Sequence, residues 1–307
     1  MPELPDLSVY LAALRRRIEG ERLEGVRLQS PFVLRTVDPP LASAAGRKVV
    51  GLERLGKRIV LALEPELFLV LHLMIAGRLR WLAPGARGPG RIALAAFDFE
   101  PGALVLTEAS KKKRASLRVV AGRAGLAALD PGGVEPLVAS DAELRAALTR
   151  ENRTLKRALT DPRLVAGIGN SYSDEILWTA RLSPFARTAE LDEEEWMRLL
   201  PAVRETLSGW IERLLAETGD RYPDKVTAFR DGMAVHGRFG QPCPRCGGAV
   251  QRIVYAENEA NYCPGCQTGG RLLADRALSR LLHGDWPKTL EELEGRKAEA
   301  RRSEPGR

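Results

Sequence analysis

Cysteine is nearly absent from this 307-residue chain: there are four, all between positions 243 and 266. A disulfide framework would spread its cysteines along the chain, so their clustering argues for a bound metal and a reducing compartment. Long apolar runs are also missing. None approaches the roughly 20 residues that a membrane-spanning helix needs. The start of the chain lacks the basic-then-apolar pattern of a secretion signal, since Asp6 arrives at once and arginines follow. Internal repeats are absent too, which sets aside solenoid architectures.

What is present is ordinary in bulk, with 44% hydrophobic and 28% charged residues. That composition belongs to a soluble globular protein long enough for two domains, each with its own core. The formal net charge of +7 favours a polyanionic partner, nucleic acid ahead of a membrane surface, or else marks a merely basic soluble protein.

Along the chain, Asp6 to Ile18 reads as a short helix ended by Gly20. From Arg22 to about Val120 the pattern becomes short strand-like runs at 26–28, 49–52, 58–63, 67–73, 79–82, 94–99, 104–106 and 117–120. Glycine and proline punctuate them, which predicts a β-sandwich with the helix alongside. Asp130-Pro131-Gly132-Gly133 marks a boundary. Helices are predicted beyond it at 141–150, 154–161, 171–181 and 192–217. A flexible loop is expected over 217–229, another helix over 272–282, and a frayed charged tail over 296–307.

Three stretches carry chemistry. The first is the opening, Met1-Pro2-Glu3. Removal of Met1 would leave Pro2 with a free secondary amine of pKa near 8. Such an amine attacks an electrophilic carbon to give an iminium, and Glu3 is placed to move protons. Most chains that begin this way are not catalytic there. The second stretch holds Cys243-x-x-Cys246 and Cys263-x-x-Cys266, separated by sixteen residues. Their spacing fits one structural zinc on a β-hairpin turning near Tyr255 to Asn258, with a pair of redox dithiols as the other reading. The third is Gly167-Ile-Gly169-Asn170, where backbone N–H groups at a helix start suit a phosphate, although many capped turns look alike.

Taken together, Pro2-Glu3-Leu4-Pro5-Asp6, the stretch 167–184 (GIGNSYSDEILWTARLSP), Gly56-Lys57-Arg58, His72 to Gly77 and the four-cysteine hairpin resemble the formamidopyrimidine-DNA glycosylase and endonuclease VIII family. The likeness runs over roughly residues 2–268. It implies an α+β multidomain fold: a helix plus β-sandwich over 1–130, a helical domain with a helix–two-turns–helix motif over 131–234, a zinc finger over 235–268 and an extension over 269–307. It also implies a bifunctional glycosylase and abasic-site lyase of base-excision repair. Pro2 would attack C1′ of the damaged nucleotide, Glu3 would assist ring opening, and Lys57 and Asn170 would hold phosphates beside the lesion. The damaged base would be flipped out of the duplex. His72 is expected only to pack or hydrogen-bond.

The chain departs from the family in several places. The family's Arg–x–Phe pair is replaced by Lys111, Lys112, Lys113 and Arg114 in a loop without an aromatic residue. The wedge into the base stack would then fall to Met74 or Ile75. Asn258 stands where the zinc hairpin usually has arginine, with Arg252 as a possible substitute, and Asp6 replaces a usual Glu. Lys156 joins the expected DNA contacts. The expected partner is double-stranded DNA with a damaged base or abasic site, bound by a cytoplasmic, nucleoid-associated monomer in a basic cleft, with no membrane contact. A catalytically silent damage-binding protein of the same fold is the alternative.

Overall fold

Helix α1 (Leu4–Ile18) begins directly after Glu3, with Pro5 in its first turn, where a missing N–H leaves no bond unmade. Asp6 accepts the Glu3 backbone N–H at 2.9 Å, which fixes Glu3 as the residue entering the helix. Leu7, Tyr10, Leu14 and Ile18 recur at helical spacing and are buried, so one face of α1 is anchored in the core. The computed structural model describes every residue except 87, 224, 225, 228, 256, 257, 275–286 and 304–307.

Eight strands follow where the sequence predicts them: β1 (Gly25–Leu28), β2 (Val49–Leu55), β3 (Arg58–Leu63), β4 (Leu67–His72), β5 (Gly77–Leu82), β6 (Ala93–Phe99), β7 (Gly102–Glu108) and β8 (Ser116–Ala121). They form two four-stranded antiparallel sheets, ordered β1-β6-β7-β5 and β2-β3-β4-β8. The central strands β3 and β4 are apolar at nearly every position because both of their faces are covered. Ile59, Leu61, Leu69 and Leu71 enter the main core with α1. Val60, Ala62, Phe68 and Val70 face outward under Leu126 of α2 (Gly122–Ala127), a helix too short for the sequence pattern to reveal.

Two compact units are built from discontinuous stretches of chain. One comprises 1–139, 161–168 and 207–228, and the other 140–160, 169–206 and 229–307. The second contains α3 (Asp141–Thr149), α4 (Leu155–Thr160), α5 (Asn170–Thr179) and the first half of α6 (Glu193–Thr218). It also contains the hairpin β9 (Gln251–Tyr255) with β10 (Asn258–Tyr262), the turn-length α7 (Pro264–Gln267), and α8 (Leu290–Ser303).

Three expectations need correction. The stretch 217–229 is not simply a loose loop. Its polar average hides Tyr222 and Val226, which are buried in the core of the first unit, and Arg78 Nε donates to the Val226 carbonyl at 2.6 Å. In the expected helix 272–282, residues 272–274 are not helical, and the Leu272 N–H bonds to the Lys288 carbonyl at 2.8 Å. Residues 275–282 lie outside the described residues. The tail is helical through Ser303, begun by Thr289, whose hydroxyl accepts the Glu292 N–H at 3.2 Å.

Candidate active site

In the first unit, Pro2 and Glu3 are buried, Glu3 to 2% exposure. The Leu4 N–H donates to the Gly167 carbonyl at 2.9 Å, so the entry to α1 is pinned beside this loop. Gly167 has φ +81°, and a Cβ there would lie 2.9 Å from the Leu4 Cβ and 3.0 Å from Arg54 Nη1. Only glycine fits. Burial pulls the Met1 amine below its ordinary pKa, with Glu3 acting against the shift and Arg78 adding to it. Lys57 follows Gly56 in the two-residue turn between β2 and β3. Burial lowers its pKa as well, again opposed by the charge of Glu3. Amine, carboxylate and lysine thus share one electrostatic neighbourhood.

Arg54 holds the Lys57 turn in place. Its Nη1 donates to the Gly56 carbonyl at 2.7 Å, and its Nη2 pairs with the Glu135 carboxylate. His72, half-buried at the end of β4, is pushed down to about 4 by burial and by Arg58, Lys57 and Arg118, which keeps its imidazole neutral. Beyond it, Met74 adopts φ +53°, a conformation rare outside glycine, at the tip of the β4–β5 turn. Ile75 next to it is 53% exposed.

The lysine loop is organised by a buried carboxylate. Glu108, 1% exposed, accepts the Arg114 N–H at 2.8 Å and the Ala115 N–H at 3.0 Å. Lys113 Nζ bonds to the Glu108 carbonyl, while Lys111 and Lys112 extend into solvent.

In the second unit, Asn170 opens α5 with its side chain partly exposed. Lys156 is 3% exposed, and its ammonium donates to the Asn170 carbonyl at 2.8 Å and pairs with Asp174. Expected as a DNA contact, Lys156 instead braces the first turn of α5 from within. Asp174 also accepts from His236 Nδ1 at 2.8 Å and Asn261 Nδ2 at 3.1 Å, which ties β10 to the same helix. The carboxylate of Glu175 receives the backbone N–H groups of Ala234, Val235 and His236 at 2.7, 2.9 and 2.9 Å. Arg252 lies on the exposed face of β9, its guanidinium 4.8 Å from the Phe239 ring centre. Asn258 opens β10, and its side chain lies outside the described residues.

The four cysteine sulfurs converge, all within 4.8 Å of one another. Tetrahedral zinc with Zn–S bonds of about 2.3 Å places its sulfurs about 3.8 Å apart, so the donor set and its dimensions fit one structural zinc. Burial raises the Cys243 thiol, but the Trp178 indole N–H and the backbone N–H groups of Arg245 and Cys246 outweigh it and bring the thiol down to about 6. Four thiolates would fill the coordination shell of such a zinc, which leaves no position for substrate.

Sequence reasoning passed over Arg54, Glu108, Asp174, Glu175, Trp178 and His236. Asp174, Glu175 and Trp178 fall inside a motif already singled out, and an acidic pair amid apolar helix residues was the available signal. Arg54 acts through Glu135, distant in sequence, and Glu108 through backbone N–H groups of its own loop, which no residue type marks.

A β-sandwich with a buried Glu3 and the Lys57 turn, together with a second unit that carries a braced helix start and a four-cysteine hairpin, is the domain set of the zinc-finger DNA glycosylases. Three family models match in register. They are the formamidopyrimidine-DNA glycosylase N-terminal domain at residues 1–119, its H2TH domain at 133–218, and the zinc finger found in FPG and IleRS at 240–269. The chain belongs to the formamidopyrimidine-DNA glycosylase family. It is 36% identical over 280 residues to the formamidopyrimidine-DNA glycosylase of Thermus thermophilus, covering 88% of this chain and all of that one. The Heliobacterium modesticaldum enzyme of the same name is 34% identical over 281 residues, covering 87% of this chain and all of the relative. A Lactococcus lactis Fpg solved with DNA containing an abasic site superposes with a TM-score of 0.76 at 25% identity, over 87% of this chain and 99% of the other. The solved structure of Thermus thermophilus MutM gives 0.74 at 34% identity, over 87% and 98%. No helix among the described residues is long and apolar enough to cross a membrane.

Proposed function

We propose that this chain excises an oxidised base from duplex DNA and then cuts the strand, using the amine of Pro2, freed by removal of Met1, as nucleophile. The observation that carries the reading is the buried Pro2–Glu3 entry to α1, whose Glu3 carboxylate lies in the same charge field as a Lys57 made less basic by burial. An amine freed at buried Pro2 is in a setting where desolvation disfavours the charged form, which keeps its electron pair available near neutral pH.

The Pro2 nitrogen bonds to C1′ as the bond from C1′ to the base breaks, and the departing base carries off the electron pair and takes up a proton. The Pro2 nitrogen then gives up its proton to the Glu3 carboxylate, and its freed electron pair opens the C1′–O4′ bond to form the iminium as Glu3 passes that proton to O4′. Loss of a C2′ proton expels the 3′ phosphate and cuts the strand, and water finally releases the sugar from the protein. Lys57 orients the damaged nucleotide. Met74 and Ile75, at the tip of a turn, fill the space left by the flipped base. Asn170, Lys111, Lys112 and Arg252 take phosphates. That the Lactococcus lactis relative was solved with abasic-site DNA supports a damaged duplex as the partner.

Borohydride trapping on a duplex with a single abasic site tests the reading. A covalent adduct mapped by mass spectrometry to Pro2 is the expected result. No adduct, with Met1 gone and binding intact, would make the chain a damage-binding protein without lyase chemistry.

A further inference from the structure

Trp178 bonds to a cysteine sulfur of the zinc site without being a ligand. Trp178 lies near the end of α5, and its indole Nε1 donates to Cys243 Sγ at 3.3 Å. Arg245, one of the two residues between Cys243 and Cys246, places its guanidinium 3.9 Å from the centre of the Trp178 ring. The same arginine donates from Nη1 to the Trp178 backbone carbonyl at 2.9 Å. The first cysteine knuckle therefore grips one tryptophan through its ring edge, its ring face and its main chain.

The chemistry of the contact is specific. An indole offers one N–H and no acceptor, so Trp178 can only donate to the sulfur. A thiol accepts hydrogen bonds weakly, whereas a thiolate bound to a metal keeps negative charge and accepts well. The bond is strongest when the site is loaded. A phenylalanine would fill the same apolar space and stack under the same guanidinium, but would donate nothing. Cys246 of the same knuckle is exposed while Cys243 is buried, so Trp178 holds the inner sulfur of a knuckle that is open to solvent.

We propose that Trp178 is a positioning residue of the zinc centre: its N–H holds the Cys243 thiolate on the metal and slows metal loss. Groups that hydrogen-bond to metal ligands typically govern about 10- to 100-fold in metal affinity. Because α5 starts at Asn170, eight residues or about 12 Å before Trp178, the loaded centre also steadies the helix that carries the phosphate candidate. The inference rests on the zinc site alone and stands whether or not Pro2 is the nucleophile.

The test uses the full-length zinc-loaded protein and its Trp178→Phe variant, each mixed with an excess of a chromogenic zinc chelator. Zinc transfer from the variant should be about 10- to 100-fold faster. Transfer at the wild-type rate overturns the proposal. Should the variant fail to fold, the wild-type protein decides the matter by nuclear magnetic resonance. With tryptophan 15N-labelled and the indole signals assigned, the Trp178 indole proton should shift when Cd2+ replaces Zn2+. An indole signal indifferent to the metal overturns the proposal equally.

Discussion

Arg54 Nη1 donates to the carbonyl of Gly56, two residues ahead, at 2.7 Å, while its Nη2 pairs with Glu135. One planar guanidinium thus fixes the turn that presents Lys57 and joins it to a segment about eighty residues away. Lysine carries a single point of charge and cannot serve both acceptors in this geometry. Arg54→Lys should lower the single-turnover strand-cutting rate about 100-fold, the scale of a 1 Å misplacement of a reacting group, while affinity for abasic-site DNA changes little. Equal losses in rate and in binding would mean that Arg54 supports the fold rather than Lys57.

Gly167 supports the other half of the same site. Its φ is +81°, and a Cβ added there would have atoms of both Leu4 and Arg54 within 3.1 Å, so alanine strains the backbone and displaces the start of α1. Gly167→Ala should cost about 2–5 kcal/mol in denaturant unfolding, the sum of a left-handed conformation and a local clash. It should also slow borohydride trapping. Unchanged stability with unchanged trapping would show that the loop yields without disturbing Glu3.

His72 gives the site a pH dependence whose sign is fixed. Its folded pKa of about 4 lies below the ordinary 6.5 because burial and three neighbouring cations disfavour the charged ring. The unfolded chain therefore binds the proton first. Stability is complete above pH 6.5 and declines as pH falls toward 4, by at most about 3 kcal/mol. His72→Gln should flatten that part of the stability curve. The imidazole resonances of His72 should show no titration between about pH 8 and 5.

Glu175 anchors the chain before the zinc hairpin through three backbone N–H groups shared between its two oxygens. Glutamine keeps one oxygen and turns a donor toward the remaining N–H. Glu175→Gln should cost about 1–3 kcal/mol, the range for leaving a buried donor unsatisfied. Thermal unfolding of the zinc-loaded protein measures it, and a melting temperature equal to that of the wild type would show that water replaces the lost acceptor.

All eight sandwich strands were legible because each is short, apolar and bounded by glycine or proline, as with Arg58–Leu63 between Gly56 and Pro65. The cysteine site was legible because spacing alone sets its geometry. Pro2 and Glu3 were legible as a free secondary amine beside a carboxylate, but their roles, and the choice of Lys57, came from resemblance, since nothing in the local pattern distinguishes them from a capped helix and a turn. The supports were not legible. Arg54 meets Glu135 and Asp174 meets His236 only after folding, and a charge that will be buried looks the same in sequence as one that will be solvated. Lys156 shows this most plainly: one lysine among many, it proves to be 3% exposed and paired.

The lysine loop makes the sharpest distinction of that kind. Lys111 and Lys112 point into solvent, whereas the ammonium of Lys113 already bonds to the Glu108 carbonyl. Each cation that neutralises a DNA phosphate contributes about 0.9 to the slope of log affinity against log salt. Replacing Lys111 and Lys112 together by alanine should therefore flatten that slope by about two and weaken binding most at low salt. Lys113→Ala should leave the slope nearly unchanged and instead loosen the loop around Glu108, seen as faster hydrogen exchange at Arg114 and Ala115. Fluorescence anisotropy on abasic-site duplex across a salt series reads the slope. If the Lys111, Lys112 double variant keeps the wild-type slope, the two lysines are solvated side chains of a loop that does not meet DNA, and the phosphate contacts lie elsewhere.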